Sequence, residues 1–275
     1  MLVPDPDLVL IRTLYTGFFF GVLGFLLFWE ESEPILPFVD RQARRRHRMR
    51  NLAMLFWVVL VADILIGQGV FRAQEFLIRP PTHVLDGMSM PLPAQVGVGL
   101  LASDLVDYWL HRASHRWSWF WRLHSVHHSD PHLDVTTAAR AHPLETSVYI
   151  AAKLGLYVLL GLPFWIEGVR AILHNSILFI QHANVTYPRA IEKLGWLLVT
   201  PGIHRVHHDT ERDRQDSNYG QIFSFWDRLF GTFRPPDLVV SPRMGLTDRR
   251  DNSWQTVWGM LATPFRGTAR RDQAL

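Results

Sequence analysis

Cysteine is absent from all 275 residues. That excludes disulfides, thiolate-held zinc and iron–sulfur clusters, so any metal in this chain has to be held by histidine and carboxylate. Internal repeats are missing, and the sole biased segment is one arginine run. A basic amino-terminus is missing too: the chain opens MLVPDPD, which argues against a cleaved signal peptide. Net charge is small, +3, so where the arginines sit matters more than their sum.

What the chain has in quantity is apolar length. Hydrophobic residues make up 48% and aromatic residues 12%, with 17 Phe and 11 Trp. Mean hydropathy is nevertheless near zero, +0.04, because long apolar blocks alternate with Arg- and His-rich segments. Residues 8–29 form a block of 22 whose one charge is Arg12, long enough for a hydrocarbon core of about 30 Å. Within it Gly17, Gly21 and Gly24 fall about one turn apart, as small residues do where membrane helices pack closely. Residues 51–71, carrying Asp63, form a second span and 92–110 a third. Residues 144–166 and 168–183 form two more, with Gly161-Leu162-Pro163 marking a turn. The expected fold class is all-α: a multi-pass membrane helical bundle of about four to five segments, with a cytoplasmic-side helical cap. The expected organisation is membrane spans over 1–90, the chemistry over 91–235, and a cytoplasmic tail over 236–275 whose last 25 residues are loosely held.

The run RQARRRHRMR, residues 41–50, holds six Arg and His47. Without aromatic interleaving or a nucleic-acid fold signature, it reads as a short basic loop on the cytoplasmic side of two spans, and no nucleic-acid partner is expected. The competing reading, a nucleic-acid or anionic-lipid binder, predicts that neutralising these arginines removes function. Counting crossings from this loop brings His111 out on the cytoplasmic side, where Arg112, Arg116, Arg122 and Arg140 follow it. Trp117 to Trp121 (WSWFW) suits a helix lying at headgroup level, and IEKLGWLLVT a short interfacial helix. His83 and His132 are given no role.

The histidines are the chemical signal. His111 and His115 stand at i and i+4; His124, His127 and His128 stand at i, i+3 and i+4; and the second spacing returns as His204, His207 and His208. On helices each set lies on one face and can aim several imidazoles at one point. With His182, at the end of its span, nine imidazoles come to one membrane face. Nine exceed what one ion takes, so two metals with about four to six ligands each are expected. Metal-bound imidazoles pass their second ring N–H to carboxylates or carbonyls, and Asp104, Asp107, Glu145 and Asp227 are the candidate acceptors. Dinuclear hydrolytic sites usually carry bridging carboxylates. An imidazole-rich pair bound to redox-active iron points instead to dioxygen chemistry on a substrate reached from lipid. The rival from another class is a membrane zinc protein, structural or hydrolytic.

The motifs DLVDYWLHRASH (104–115), FWRLHSVHHSD (120–130), TAARAHPLE (137–145), QHANV (181–185) and TPGIHRVHHDTERDRQDSNYGQIFSFWDRLFGTF (200–233) resemble the fatty acid hydroxylase / sterol desaturase superfamily. The resemblance covers about residues 95–235. It implies an integral membrane, non-haem di-iron oxidoreductase with its active site on the cytoplasmic side, using O2 as co-substrate. It implies a sterol, fatty acyl or other lipid substrate that is hydroxylated or desaturated. Electrons would come from an external donor of ferredoxin, cytochrome b5 or flavoprotein type. By matching motifs it implies His111, His115, His124, His127, His128, His182, His204, His207 and His208 as metal ligands. Some members have a further histidine where this chain has Gln181, which makes His174 and His142 candidate additional ligands.

Overall fold

The computed structural model describes residues 6–62, 64, 84–85, 88–236 and 244–266, and nearly all regular structure among them is helical. Twelve α-helices follow in order among the described residues: α1 Pro6–Ser32, α2 Arg41–Ala62, α3 Leu92–Arg116, α4 Ser118–His128, α5 Pro143–Leu160, α6 Trp165–His182, α7 Arg189–Glu192, α8 Pro201–His207, α9 Arg212–Gln215, α10 Phe225–Leu229, α11 Asn252–Gln255 and α12 Val257–Ala262. Extended pairing among the described residues is limited to isolated bridges such as Leu198 with Phe223.

The long helices make a bundle. α1 packs on α6 through Leu23, Leu26 and Phe179, and that contact continues into Ala183 and Val185. The expected close packing at Gly17, Gly21 and Gly24 is not seen: a Cβ at any of them would meet nothing within 4 Å, so the buried stripe of α1 lies elsewhere on the helix. Leu162 and Ile166 pack with Tyr157 at the α5–α6 corner. There α5 stops at Gly161, whose φ of 73° puts its N–H on the carbonyls of Tyr157 and Val158. Glycine reaches that left-handed region without steric cost.

Among the described residues two helical segments, Thr13–Ser32 and Pro143–Leu160, are long and apolar enough to cross a bilayer. α3 and α6 carry buried charge instead, Asp104 and Asp107 on one and Arg170 on the other. The expected span over 51–71 is seen only as the second half of α2, and Asp63 and His83 lie outside the described residues.

The basic run 41–50 is not a loop but the first half of α2. Arginine is a good helix former, and the arginines facing inward have partners. Arg48 donates to Glu30 at 2.8 Å, Glu31 at 2.6 Å and Asp134 at 3.1 Å, and Arg44 pairs with Glu31. Residues 244–266 are likewise docked rather than loose, and the rest of the expected loose end, 267–275, lies outside the described residues. Met260 packs between Met54 of α2 and Val126 of α4. Gln255 accepts from Arg140 at 2.8 Å and donates to the carbonyls of Ser129 and Arg249. The apolar content that reads as a free end from sequence therefore closes the core beside α4.

Candidate metal centre

Four elements deliver nine imidazoles. α3 ends at Arg116 because Trp117 is extended (φ −95°, ψ 124°), and α4 restarts in a new direction. The break turns His111 and His115, on the last turns of α3, toward His124, His127 and His128 on α4. His182 is the last residue of α6. Thr200 and Pro201 start α8: the Thr200 hydroxyl accepts from Ile203 N at 3.4 Å and Pro201 stands where a missing N–H costs nothing. α8 then carries His204 and His207 and ends on His208.

These nine residues fall into two groups: His111, His115, His124, His128 and His207 in one, and His127, His182, His204 and His208 in the other. Each HxxHH set is therefore divided, not aimed at one point. At about 3.6 residues per turn, i and i+4 are offset by roughly 40° and i+3 by roughly 60° the other way. His124 and His128 accordingly serve one group while His127 crosses to the second; His204 and His208 serve the second while His207 crosses to the first.

In the five-membered group Nε2 of His124 lies 3.1 Å from Nε2 of both His111 and His128. In the four-membered group Nε2 of His182 lies 3.2 Å from that of His127, 3.1 Å from His208 and 3.0 Å from His204. One N–H has one hydrogen to donate, so three close ring nitrogens around His182 cannot all be hydrogen-bonded. Outer nitrogens settle the tautomers, because carbonyls and carboxylates only accept. Nδ1 of His111 lies 2.8 Å from Tyr219 O and 2.7 Å from the Gln221 side-chain amide nitrogen, while Nδ1 donates to Arg140 O from His127, to Leu178 O from His182 and to Ser217 O from His207. Nδ1 of His124 donates to Glu145 at 2.6 Å and that of His115 to Asp216 at 3.2 Å. The inward Nε2 atoms are thereby left as lone-pair donors. Neighbouring donors on an octahedral ion with bonds of about 2.1 Å stand about 3.0 Å apart, the spacing found here. The donor set fits first-row transition ions that favour imidazole. Burial, then mutual repulsion among the rings, holds His111, His127, His128, His204 and His208 well below the usual imidazole range. They are neutral, as ligands must be.

The remaining sequence candidates are placed differently. Glu145 touches a grouped histidine directly. Asp104 accepts from the backbone N–H of Ile222 and Phe223 and from the Trp226 indole. Asp227 accepts from Tyr219 N, Gly220 N and the Thr232 hydroxyl, and burial pushes its carboxyl up. Both organise the loop carrying Tyr219 rather than a histidine. Asp107 pairs with Lys153 and Arg170. His142 caps α5 by accepting from Leu144 N, and its Nε2 faces Leu261 O at 3.2 Å. His174 Nε2 lies 3.4 Å from Gln221 Oε1. Neither joins a group, and Gln181 is spent on the carbonyls of Val199 and Gln221.

Sequence reasoning missed Asp216, Ser217, Tyr219 and Gln221. Their signal was the NYG motif. Asn218, at φ 54°, turns the carbonyls on either side of it toward His207 and His111, and its own amide is tied to Ile203 and Arg234. Gly220 is needed beside it, since a Cβ would stand 2.6 Å from the Phe223 carbonyl oxygen.

Both groups open on a cavity of about 600 Å3. His111, His124, His127 and His204 line it, and Leu55, Val58, Val59, Ile150, Leu178 and Phe179 supply apolar wall.

Residues 96–232 match the fatty acid hydroxylase family. An ornithine lipid hydroxylase of Rhizobium tropici is 32% identical over 66% of this chain and 54% of its own length. An alkylglycerol monooxygenase of Caenorhabditis elegans is 33% identical over 61% of this chain and 33% of its own. The human alkylglycerol monooxygenase is 33% identical over 48% and 29%. The chain thus matches about half or less of each of these relatives. No solved structure matches.

Proposed function

The chain belongs to the fatty acid hydroxylase family, and from that membership we propose that it is an integral membrane oxidoreductase that hydroxylates or desaturates a lipid C–H bond with O2. The nine histidines hold two iron ions in this reading, five ligands on one and four on the other. The observation that carries it is the pair of inward-facing Nε2 sets opening on one largely apolar cavity. Bound iron would supply O2 reduction and the oxidising power to take hydrogen from an unactivated C–H bond.

The protein's own part is geometric. The Arg140, Leu178, Ser217 and Tyr219 carbonyls, with Glu145 and Asp216, hold the outer protons so that every paired ring keeps its inward lone pair. The apolar walls hold the lipid chain and exclude water. The relatives' lipid substrates support a lipid here without choosing one. Electrons come from a separate donor of ferredoxin, cytochrome b5 or flavoprotein type. The helices form a multi-pass bundle whose metal end faces the cytoplasm, supported by two membrane-length helical segments and by the arginines at that end.

The test uses full-length protein purified without added metal. Iron in the preparation, O2 consumption with reductant and lipid, and a cellular lipid gaining one oxygen or losing two hydrogens are the expected results. Zinc alone with no O2 consumption would overturn the proposal in favour of a zinc protein.

A further inference from the structure

The same cavity holds four charged side chains that touch none of the nine histidines. Arg170 of α6 donates to Asp107 of α3 at 2.9 Å and to Glu167 at 2.7 Å. Lys153 of α5 stands 3.1 Å from Asp107 and 3.6 Å from Glu167. All four line the cavity. Asp107 lies one turn before His111 on α3, about 6 Å along the axis.

Ions cost stability when buried between otherwise apolar helices, and a well-packed apolar quartet would hold α3, α5 and α6 together at least as well. They bridge the three helices and also line the cavity, which gives them something to face. Two cations and two anions leave the cluster with no net charge. Besides the grouped His111, His124, His127 and His204, the other ionisable groups on that wall are the phenols Tyr15 and Tyr149, the imidazole of His174, and Glu145, which is engaged by His124. Lys153 has three N–H donors for two named acceptors, and Glu167 is the most exposed of the four, at 23%. The cluster can therefore both donate to and accept from a polar group without losing its internal pairs.

We propose that Asp107, Lys153, Glu167 and Arg170 form the subsite for the polar group of the lipid, and that they select a headgroup without net charge, whether uncharged or zwitterionic. A monoanionic headgroup seated on the cluster would add one negative charge that the cluster itself does not compensate, and a monocationic one the reverse. The inference rests on the lipid-oxidation reading of the cavity.

The test is competition binding to the full-length metal-loaded protein, using a monoacylglycerol, a free fatty acid and a long-chain alkylamine of equal chain length. Wild type should retain the monoacylglycerol at least about tenfold better than either charged lipid. Glu167→Gln leaves the cluster one positive charge in excess and should raise fatty acid binding relative to monoacylglycerol by about tenfold. Lys153→Met should do the same for the alkylamine. Wild type that binds fatty acid as well as monoacylglycerol overturns the proposal on its own, whatever the variants do. So do variants that weaken all three lipids in parallel, as a purely structural role requires. Turnover is read separately. Selective binding without oxidation of any lipid leaves the headgroup rule standing and removes the proposed function, whereas equal oxidation of fatty acid and monoacylglycerol does the reverse.

Discussion

Glu145→Ala isolates the contact between a grouped histidine and its outer acceptor. Glu145 is 5% exposed, and its Oε1 receives the Nδ1 proton of His124 at 2.6 Å. His124 in turn has the Nε2 atoms of two other members of its group at 3.1 Å, so its ring orientation is shared with them. Removing such an acceptor typically lowers metal affinity by about 10- to 100-fold, equivalent to about 1.4–2.8 kcal/mol. The same range follows from leaving a buried N–H unpaired, about 1–3 kcal/mol. Glu145 also sits in the first turn of α5, where its charge favours the helix by about 0.3–1 kcal/mol. Glu145→Gln separates the two effects, because it deletes the charge and keeps an acceptor oxygen. Chelator titration with metal quantification is the assay, with circular dichroism as the check on folding. The expected order of metal retention is wild type, then Gln, then Ala. An Ala variant that keeps its metal against chelator as well as wild type would refute the assigned role of this contact.

Three further outcomes are expected. His127→Ala should cost metal from the four-membered group and His207→Ala from the five-membered one; mass spectrometry of metal content should show partial loss in each, and full retention in both would contradict the division. His47→Gln should weaken the contact between α2 and the 130–134 segment. Burial lowers the His47 imidazole but Asp130 and Asp134 more than offset it, so its pKa is raised; burial raises Asp134 but His47, Thr136 and Arg48 more than offset it, so its pKa is lowered. The raised His contributes stability fully below its ordinary value near about 6.5, lost as pH rises through its folded pKa. The lowered Asp contributes above about 3.9, lost as pH falls. Wild-type melting should therefore fall on the alkaline side more steeply than that of the variant, and parallel profiles would count against the pair. Gln255→Ala removes an acceptor from buried Arg140 and should lower stability by about 1–3 kcal/mol, read as faster thermal inactivation.

Legibility in the sequence followed the range of the interactions concerned. The nine histidines stood out because their spacings are local and helix periodicity places them on faces. Their division between two groups depends on where neighbouring helices stand, so no single motif carries it: His127 belongs with His182 and His208, 55 and 81 positions away in sequence. The basic run 41–50 misled because charge density was visible and its partners were not. Glu30, Glu31 and Asp134 lie on other elements, and their pairing with Arg48 turns a nominal loop into a helix end. Residues 244–266 misled because their anchors, Met260 on Met54 and Gln255 on Arg140, are long-range. Acceptors for the outer ring protons were the least legible part, since four of the six are backbone carbonyls and any residue type supplies one.

That last point explains the placement of the buried carboxylates. If carbonyls orient the rings, then loop conformation becomes part of the metal site's chemistry, and something has to hold the loop. Asp227 binds the N–H groups of Tyr219 and Gly220, and Asp104 binds those of Ile222 and Phe223. Two acidic residues thus clamp successive parts of one five-residue stretch, with Tyr219 O presented to His111 from within it. A carboxylate placed directly on each ring would bury more negative charge beside the cavity, where ions are costly. Displacing the charge onto the loop lets neutral carbonyls meet the rings, with Glu145 and Asp216 the carboxylates that meet His124 and His115. The acidic residues conspicuous in the motifs therefore act chiefly at one remove, on the backbone that faces the histidines.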